Sequence, residues 1–207
     1  MTKLKQTDKI FVALDNMSLP EAERVIKKYE GKVHGFKINH SLLHSLAPYK
    51  DLNIFVDLKL WDIPNTVVSI VEHVLELGAT YTTISTLNSP EVFKQLEQYK
   101  REINLLGVTY LTSWSGKEQY EIMREMPTGM WRRHIKKIVN SGFAGIICSP
   151  HDIETIEHTD FKHELLRICP GIRTKPTNDD QKRTATPTEA FEKGADYLVM
   201  GRSFLNA

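Results

Sequence analysis

Asn53-Ile54-Phe55-Val56-Asp57-Leu58-Lys59-Leu60-Trp61-Asp62-Ile63-Pro64-Asn65-Thr66 is the stretch on which the fold of this chain turns. Ile54-Phe55-Val56 is apolar and β-rich, so it reads as a strand with Asp57 and Lys59 at its C-terminal end. Strand side chains alternate with period two, which puts Asp57 and Lys59 on one side and Val56 and Leu58 on the other. An acid and a base projecting together where a buried strand ends cost free energy unless they pair or a ligand uses them. Two readings follow: an ion pair that closes the strand end, and a site. Pro64 then turns the chain into a helix that starts near Thr66.

The same strand-then-helix grammar runs through the whole chain. Ile10 to Leu14 is a continuous apolar run ending at Asp15, followed by Ser18-Leu19-Pro20-Glu21, a helix start with N-cap, early proline and capping-box glutamate. Further strands are expected at 33–38, with Lys37 near its end, and at 54–59, 81–85, 103–110, 144–148, 165–169 and 197–200. Val67, Ile70, Val71, Val74 and Leu75 recur at helical spacing, and Gly78 supplies the stop. Ser89-Pro90-Glu91 opens another helix, and further helices are expected at 117–126 and 188–194.

Eight apolar, non-alternating strands joined by helical crossovers imply a parallel sheet buried on both faces. Two architectures satisfy this, a closed (β/α)8 TIM barrel and a doubly wound open sheet. The polar residues decide between them. Asp15, Lys37, Asp57, Lys59, Thr112, Gly171 and Gly201 all fall at or just after strand C-termini. A barrel gathers them at one mouth, whereas an open sheet spreads them along an edge. The expectation is one TIM-barrel domain over 1–207, with the last helix short or missing, because only six residues follow Gly201.

Composition excludes several classes. The 207 residues are 41% hydrophobic and 26% charged, and 27 Lys and Arg against 26 Asp and Glu leave a net charge of +1. No nucleic-acid or membrane partner is expected from that balance. The run Trp131-Arg132-Arg133-His134-Ile135-Lys136-Lys137 reads as the solvated face of a helix. Cys148 and Cys169 lie in apolar runs without CxxC spacing, so buried free thiols in a reducing compartment are expected. With no secretory h-region and no run of 18 apolar residues, the expected location is cytoplasmic.

Two loops suit an anion. Gly201-Arg202 follows the last strand; the glycine admits a ligand to the backbone, and the arginine can grip an oxyanion through paired N–H donors. The loops after strands seven and eight of a barrel are the usual phosphate site. Pro170-Gly171-Ile172-Arg173 leaves strand seven and runs into the polar stretch Thr174 to Gln181, which reads as a mobile lid.

These residues together resemble the orotidine 5′-phosphate decarboxylase family, over essentially the whole chain. The most specific element is Asp57-x-Lys59-x-x-Asp62-Ile63-Pro64-Asn65-Thr66. Ala13-Leu14-Asp15, Phe36-Lys37-Ile38, Gly107-Val108-Thr109-x-Leu111-Thr112-Ser113, Pro170-Gly171-Ile172-Arg173, Asp180-Gln181-Lys182-Arg183 and Gly201-Arg202 support it. The resemblance implies that Asp15 and Lys37 bind the ribose hydroxyls. It implies an alternating charge network of Lys37, Asp57, Lys59 and Asp62, with Lys59 the proton donor. Asp62, Ile63 and Thr66 would contribute to substrate binding, with Asp62 and Thr66 reaching across a homodimer interface into the neighbouring site. Thr112 would meet the pyrimidine, with Ser115 a second candidate for the same edge. Arg173, Gln181, Gly201 and Arg202 would hold the phosphate. The implied substrate is orotidylate, and no metal or organic cofactor is required.

Metal-dependent relatives in the same superfamily, such as hexulose-phosphate synthase and keto-gulonate-phosphate decarboxylase, share an Asp-x-Lys-x-x-Asp element. They resemble one another in carrying a Mg²⁺-binding glutamate where this chain has Lys37, and a lysine repels a divalent cation. A rival from another class is a nucleotide-binding barrel without catalysis. One departure stands out. The family's fourth strand usually ends in a Val-His-Ala-like segment with glycines behind it, where this chain has Ile84-Ser85-Thr86-Leu87-Asn88-Ser89.

Overall fold

Eight strands close on themselves in chain order, each parallel to its neighbours, and β1 pairs with β8 to complete the ring. The computed structural model describes residues 6–45, 49, 51–124, 127–157, 165–174 and 183–206. The strands are β1 Ile10–Ala13, β2 Gly35–Ile38, β3 Ile54–Leu60, β4 Tyr81–Ser85, β5 Asn104–Val108, β6 Gly145–Ile147, β7 Leu166–Cys169 and β8 Tyr197–Met200. Between them lie α1 Leu19–Tyr29, α2 Pro64–Glu76, α3 Pro90–Leu96, α4 Gly116–Met123, α5 Pro127–Asn140, α6 Ile153–Glu157 and α7 Pro187–Glu192, with α8 Arg202–Leu205 last. The (β/α)8 barrel expected from the sequence is therefore present, and α8 is a single short turn. α4 ends three residues earlier than the pattern suggested, because Arg124 adopts a left-handed C-cap with φ of 54°.

The continuous apolar runs have a simple origin. Alternate residues of each strand face two different cores. Ile10, Val12, Phe36, Ile54 and Val56 pack outward against the helices, while Phe11, Phe55, Leu106, Ile168 and Val199 fill the barrel. Phe11 packs edge-on against Phe55, Tyr81 and His34, with ring centroids 5.5, 5.1 and 4.7 Å away, so the lower barrel is an aromatic plug. Polar residues have room only above it, at the strand C-termini.

Local signals explain the helices. Ser18 donates its N–H and hydroxyl to Glu21 at 2.8 and 2.6 Å, which fixes the start of α1. Gly78, with φ of 89°, ends α2. Gly107 lets α5 lie against the sheet, since a Cβ there would come within 2.3 Å of the Ile138 side chain. The basic run on α5 is solvated only in part. Arg132, Arg133 and Lys136 are exposed, whereas Trp131, His134 and Ile135 are buried. Lys137 turns inward and donates to the Thr86 and Asn88 carbonyls at 2.9 and 3.2 Å. Cys148 and Cys169 are free, buried neighbours on β6 and β7, with sulfurs 3.8 Å apart. Their mutual hydrogen bond, then burial, raise the Cys148 pKa, so it stays a thiol. Among the described residues, no helix is long and apolar enough to cross a membrane.

Candidate active site

Three strand ends deliver the charged groups. Ala13, Lys37 and Phe55 are in register across β1, β2 and β3, so Lys37 stands one layer above the aromatic plug and Asp57 one layer higher. Lys37 is only 7% exposed. Its Nζ lies 2.5 Å from Asp15 Oδ2 and 3.5 Å from Asp57 Oδ2, and Lys59 Nζ lies 2.8 Å from the same Asp57 oxygen. The result is an alternating chain, Asp15–Lys37–Asp57–Lys59, running up the mouth. Burial by itself would raise the Asp57 carboxyl, but the Lys59 and Lys37 charges and hydrogen bonds from Lys59 and Thr83 outweigh it. They hold Asp57 below the usual carboxylate range. Lys59 is the most exposed member, with 41% of its side chain accessible.

Regular pleating does not bring Asp57 to Lys59. The β3–β4 register shifts between Val56 and Leu60, and Lys59 adopts φ of 50°. The pair forms through a bulge, a feature often used to aim a side chain.

A cavity of about 1160 Å³ opens above these groups. Asp15, Lys37, Asp57, Lys59, Thr112, Arg173, Gly201 and Arg202 all line it, and so do Tyr110, Ser113, Ser203 and Asn206, which the sequence reading had not singled out. The guanidinium of Arg202 takes no partner among the described residues, which leaves its donors available to an anion. Arg173 is tied to the frame, with its N–H on the Ala185 carbonyl at 2.9 Å and its Nη1 on the Ile172 carbonyl at 3.1 Å.

Four predicted site residues lie elsewhere. Asp62, Ile63 and Thr66 do not line this cavity. Asp62 pairs with no cation among the described residues; its Oδ1 accepts the Ile63 N–H at 2.7 Å. Trp61 and Ile63 on either side of it are 69% and 66% exposed. Ser115 serves as the N-cap of α4, bonded at 2.6 Å to Glu118. Gln181 lies outside the described residues.

The atypical end of the fourth strand has a visible role. Buried Asn88 donates to the Leu60 carbonyl at 2.8 Å and accepts the Asp62 N–H at 3.2 Å, so it pins the segment that follows Lys59.

Known proteins place this arrangement. A family model described as orotidine 5′-phosphate decarboxylase / HUMPS family matches residues 8–207. The chain belongs to that family. The orotidine 5′-phosphate decarboxylase of Dictyoglomus thermophilum is 35% identical over 96% of this chain and 89% of its own length. That of Opitutus terrae is 34% identical over 96% of this chain and 91% of its own. The crystal structure of orotidine 5′-phosphate decarboxylase from Lactobacillus acidophilus superposes with a TM-score of 0.79 at 27% identity, covering 97% of this chain and 92% of that one. Family membership gives the Asp-Lys ladder and Arg202, which has no guanidinium partner among the described residues, a common setting: both sit at the C-terminal mouth, where barrels place their chemistry.

Proposed function

We propose that this chain converts orotidine 5′-phosphate to uridine 5′-phosphate and CO2, the last step of de novo pyrimidine nucleotide synthesis, without a cofactor. The observation that carries the reading is the Asp15–Lys37–Asp57–Lys59 ladder, which holds an ammonium at the cavity surface beside a buried carboxylate.

The chemistry needs such an ammonium. Breaking the C6–carboxylate bond leaves its electron pair on C6, in the ring plane, where no adjacent π system delocalises it. Lys59 stabilises that carbanion and then gives it a proton, and the neutral amine regains one from solvent. Until then the Asp57 carboxylate pairs with the Lys59 ammonium and holds it in place. Asp15 and Lys37 bind the ribose hydroxyls, Thr112 meets the pyrimidine edge, and Arg202 grips the phosphate with Gly201, Arg173 and Gln181. Binding of the remote phosphate supplies free energy that assembles the reacting end.

Asp62 and Thr66 complete the site from the partner in a homodimer, and Ile63 contributes to substrate binding. The support is local: an acid with no cation partner among the described residues stands between two large, exposed apolar residues, Trp61 and Ile63. Such a patch suits burial against a second copy. Residues 1–207 act as one domain, since the strands of a single ring run from Ile10 to Met200. The two buried free thiols support a cytoplasmic setting.

The metal-dependent sugar-phosphate reading fits the residues poorly. The Lys37 ammonium stands between Asp15 and Asp57, at 2.5 and 3.5 Å, where a divalent ion would have to gather carboxylates.

The test is an absorbance assay of orotidylate loss, with and without EDTA. Turnover unaffected by EDTA is expected. Loss of activity that Mg²⁺ restores would assign the chain to the sugar-phosphate branch, and uridylate binding without turnover would make it a binding protein. Lys59→Ala should lower kcat/KM by at least about 10⁴-fold, at or above the upper end of the general-acid range. A variant that kept a tenth of the activity would remove Lys59 from its role.

A further inference from the structure

Four threonines lie in or next to β4, Thr80, Thr82, Thr83 and Thr86, and one of them behaves differently. The hydroxyls of Thr80 and Thr82 donate to the carbonyls of Ile54 and Val56, at 3.1 and 3.0 Å, and Thr86 donates to the Val108 carbonyl at 3.0 Å. Each reinforces a ladder between strands. Thr83 instead accepts the backbone N–H of Lys59 at 2.8 Å and donates to Asp57 Oδ1 at 2.9 Å. Its residue is 0% exposed, so it cannot reach a substrate.

The geometry of β3 explains why a hydroxyl stands there. Val56 pairs with Thr82 and Leu60 with Ile84, so four steps on β3 are matched by two on β4. Asp57, Leu58 and Lys59 therefore share Thr83 as their single opposite residue. In the bulge the regular ladder is lost, and Lys59 takes a left-handed φ of 50° that a long side chain adopts only when its surroundings enforce it. A threonine hydroxyl has one proton to give and lone pairs to receive. Here the proton goes to the carboxylate and a lone pair takes the amide, so one oxygen holds both halves of the Asp57–Lys59 pair. The Asp57 carboxylate is fixed in consequence: Oδ1 faces Thr83, and Oδ2 faces Lys59 at 2.8 Å and Lys37 at 3.5 Å.

We infer that Thr83 is a positioning residue for the decarboxylation, clamping the bulged Lys59 backbone and the Asp57 carboxylate so that the ammonium is presented to the reacting carbon. The inference rests on the proposed function, in which Lys59 protonates C6. It is also compatible with the lowered Asp57 pKa, to which the Thr83 hydrogen bond contributes.

The test compares Thr83→Val, which keeps the branched shape and removes the hydroxyl, with Thr83→Ser, which keeps the hydroxyl. Wild type is assayed first with orotidylate; if it does not turn over, the proposed function fails and the variants are not at issue. With active wild type, Thr83→Val is expected to lose about 10- to 100-fold in kcat, since misplacing a reacting group by about 1 Å can cost about 10²-fold. KM should stay within about threefold and Thr83→Ser should recover most of kcat, because substrate contacts are untouched. The acidic limb of the kcat–pH profile should move to higher pH in the valine variant, since Asp57 loses a hydrogen bond to its charged form. A valine variant with wild-type kcat overturns the inference, as do valine and serine variants equally impaired. If Thr83→Val fails to fold, Thr83→Ala set against Thr83→Ser reads the same difference: impaired alanine with active serine supports the clamp, and equal activities overturn it.

Discussion

Asp152 receives both arms of the Arg183 guanidinium, Nη2 on Oδ1 at 2.5 Å and Nη1 on Oδ2 at 3.0 Å, and Asp152 is almost fully buried. Tyr110 joins them, donating to Asp152 Oδ1 at 3.0 Å and accepting the Trp131 indole N–H at 2.9 Å. The pair ties the segment after β6 to the chain entering α7. Burial, then the Asp152 charge, raise the Tyr110 phenol well above its ordinary pKa, so it remains a donor.

A buried, bidentate pair loses most when one partner alone is removed, because the other charge is stranded. Arg183→Ala should therefore lower the unfolding free energy by roughly 3–5 kcal/mol, read from urea denaturation at neutral pH. Arg183→Lys should recover only part of that, since an ammonium cannot reproduce the fork. A loss of under about 1 kcal/mol for Arg183→Ala, the level of a surface ion pair, would show that water replaces the contact.

Asp57 links stability to pH. Its folded pKa lies below the usual carboxylate value, so folding favours the deprotonated form. The resulting stabilisation is fully present above the unfolded pKa of about 4 and is lost as the pH falls through the lower, folded value. The stability difference between wild type and Asp57→Asn should be constant above about pH 5 and should shrink below about pH 4, measured by urea unfolding at several pH values. A difference that instead grows on acidification would mean that the folded carboxyl titrates above its ordinary range.

The barrel was legible in the sequence because both faces of every strand are buried, which writes each strand as an apolar run such as Ile54-Phe55-Val56. The strand-end charges stood out for the same reason, since an acid or lysine after such a run has no core to join. The bulge was not legible: period-two spacing already placed Asp57 beside Lys59, so nothing in the sequence announced the left-handed Lys59 or its hydroxyl clamp. The roles of Asn88 and of Lys137, which the basic run had placed on a solvated face, were not legible because their partners are backbone carbonyls and amides, which any sequence supplies. Ser115 shows the converse. Its spacing to Glu118 is a capping box, and in the structure the hydroxyl is spent on that helix start.

Arg202 offers a separable reading of phosphate binding. Its guanidinium has no protein partner among the described residues and borders the cavity, so alanine there should leave the fold intact. KM for orotidylate should rise about 10- to 100-fold with the loss of a charge-assisted pair. Turnover of orotidine lacking the phosphate should be nearly indifferent to the change. Equal damage with both substrates would make Arg202 a structural residue.

The proposed sharing of sites between two copies gives the last prediction. Asp62 lies three residues beyond Lys59, held by Asn88 in a segment that turns through Pro64 into α2. It does not line its own cavity, and Trp61 and Ile63 beside it are mostly exposed. In a two-fold dimer, each Asp62 would enter the partner's site reciprocally. Lys59→Ala and Asp62→Ala homodimers should each be inactive. In a mixed dimer both defects fall in one site, and the other site is intact. With equal mixing and free exchange, half of the dimers are mixed and half of their sites work, so recovery should approach about a quarter of wild-type specific activity. Trp61→Asp should weaken the dimer in sedimentation and abolish this recovery, because a buried charge replaces an apolar anchor. No recovery, with subunit exchange shown independently by a labelled protomer, would mean that each site is built from one chain.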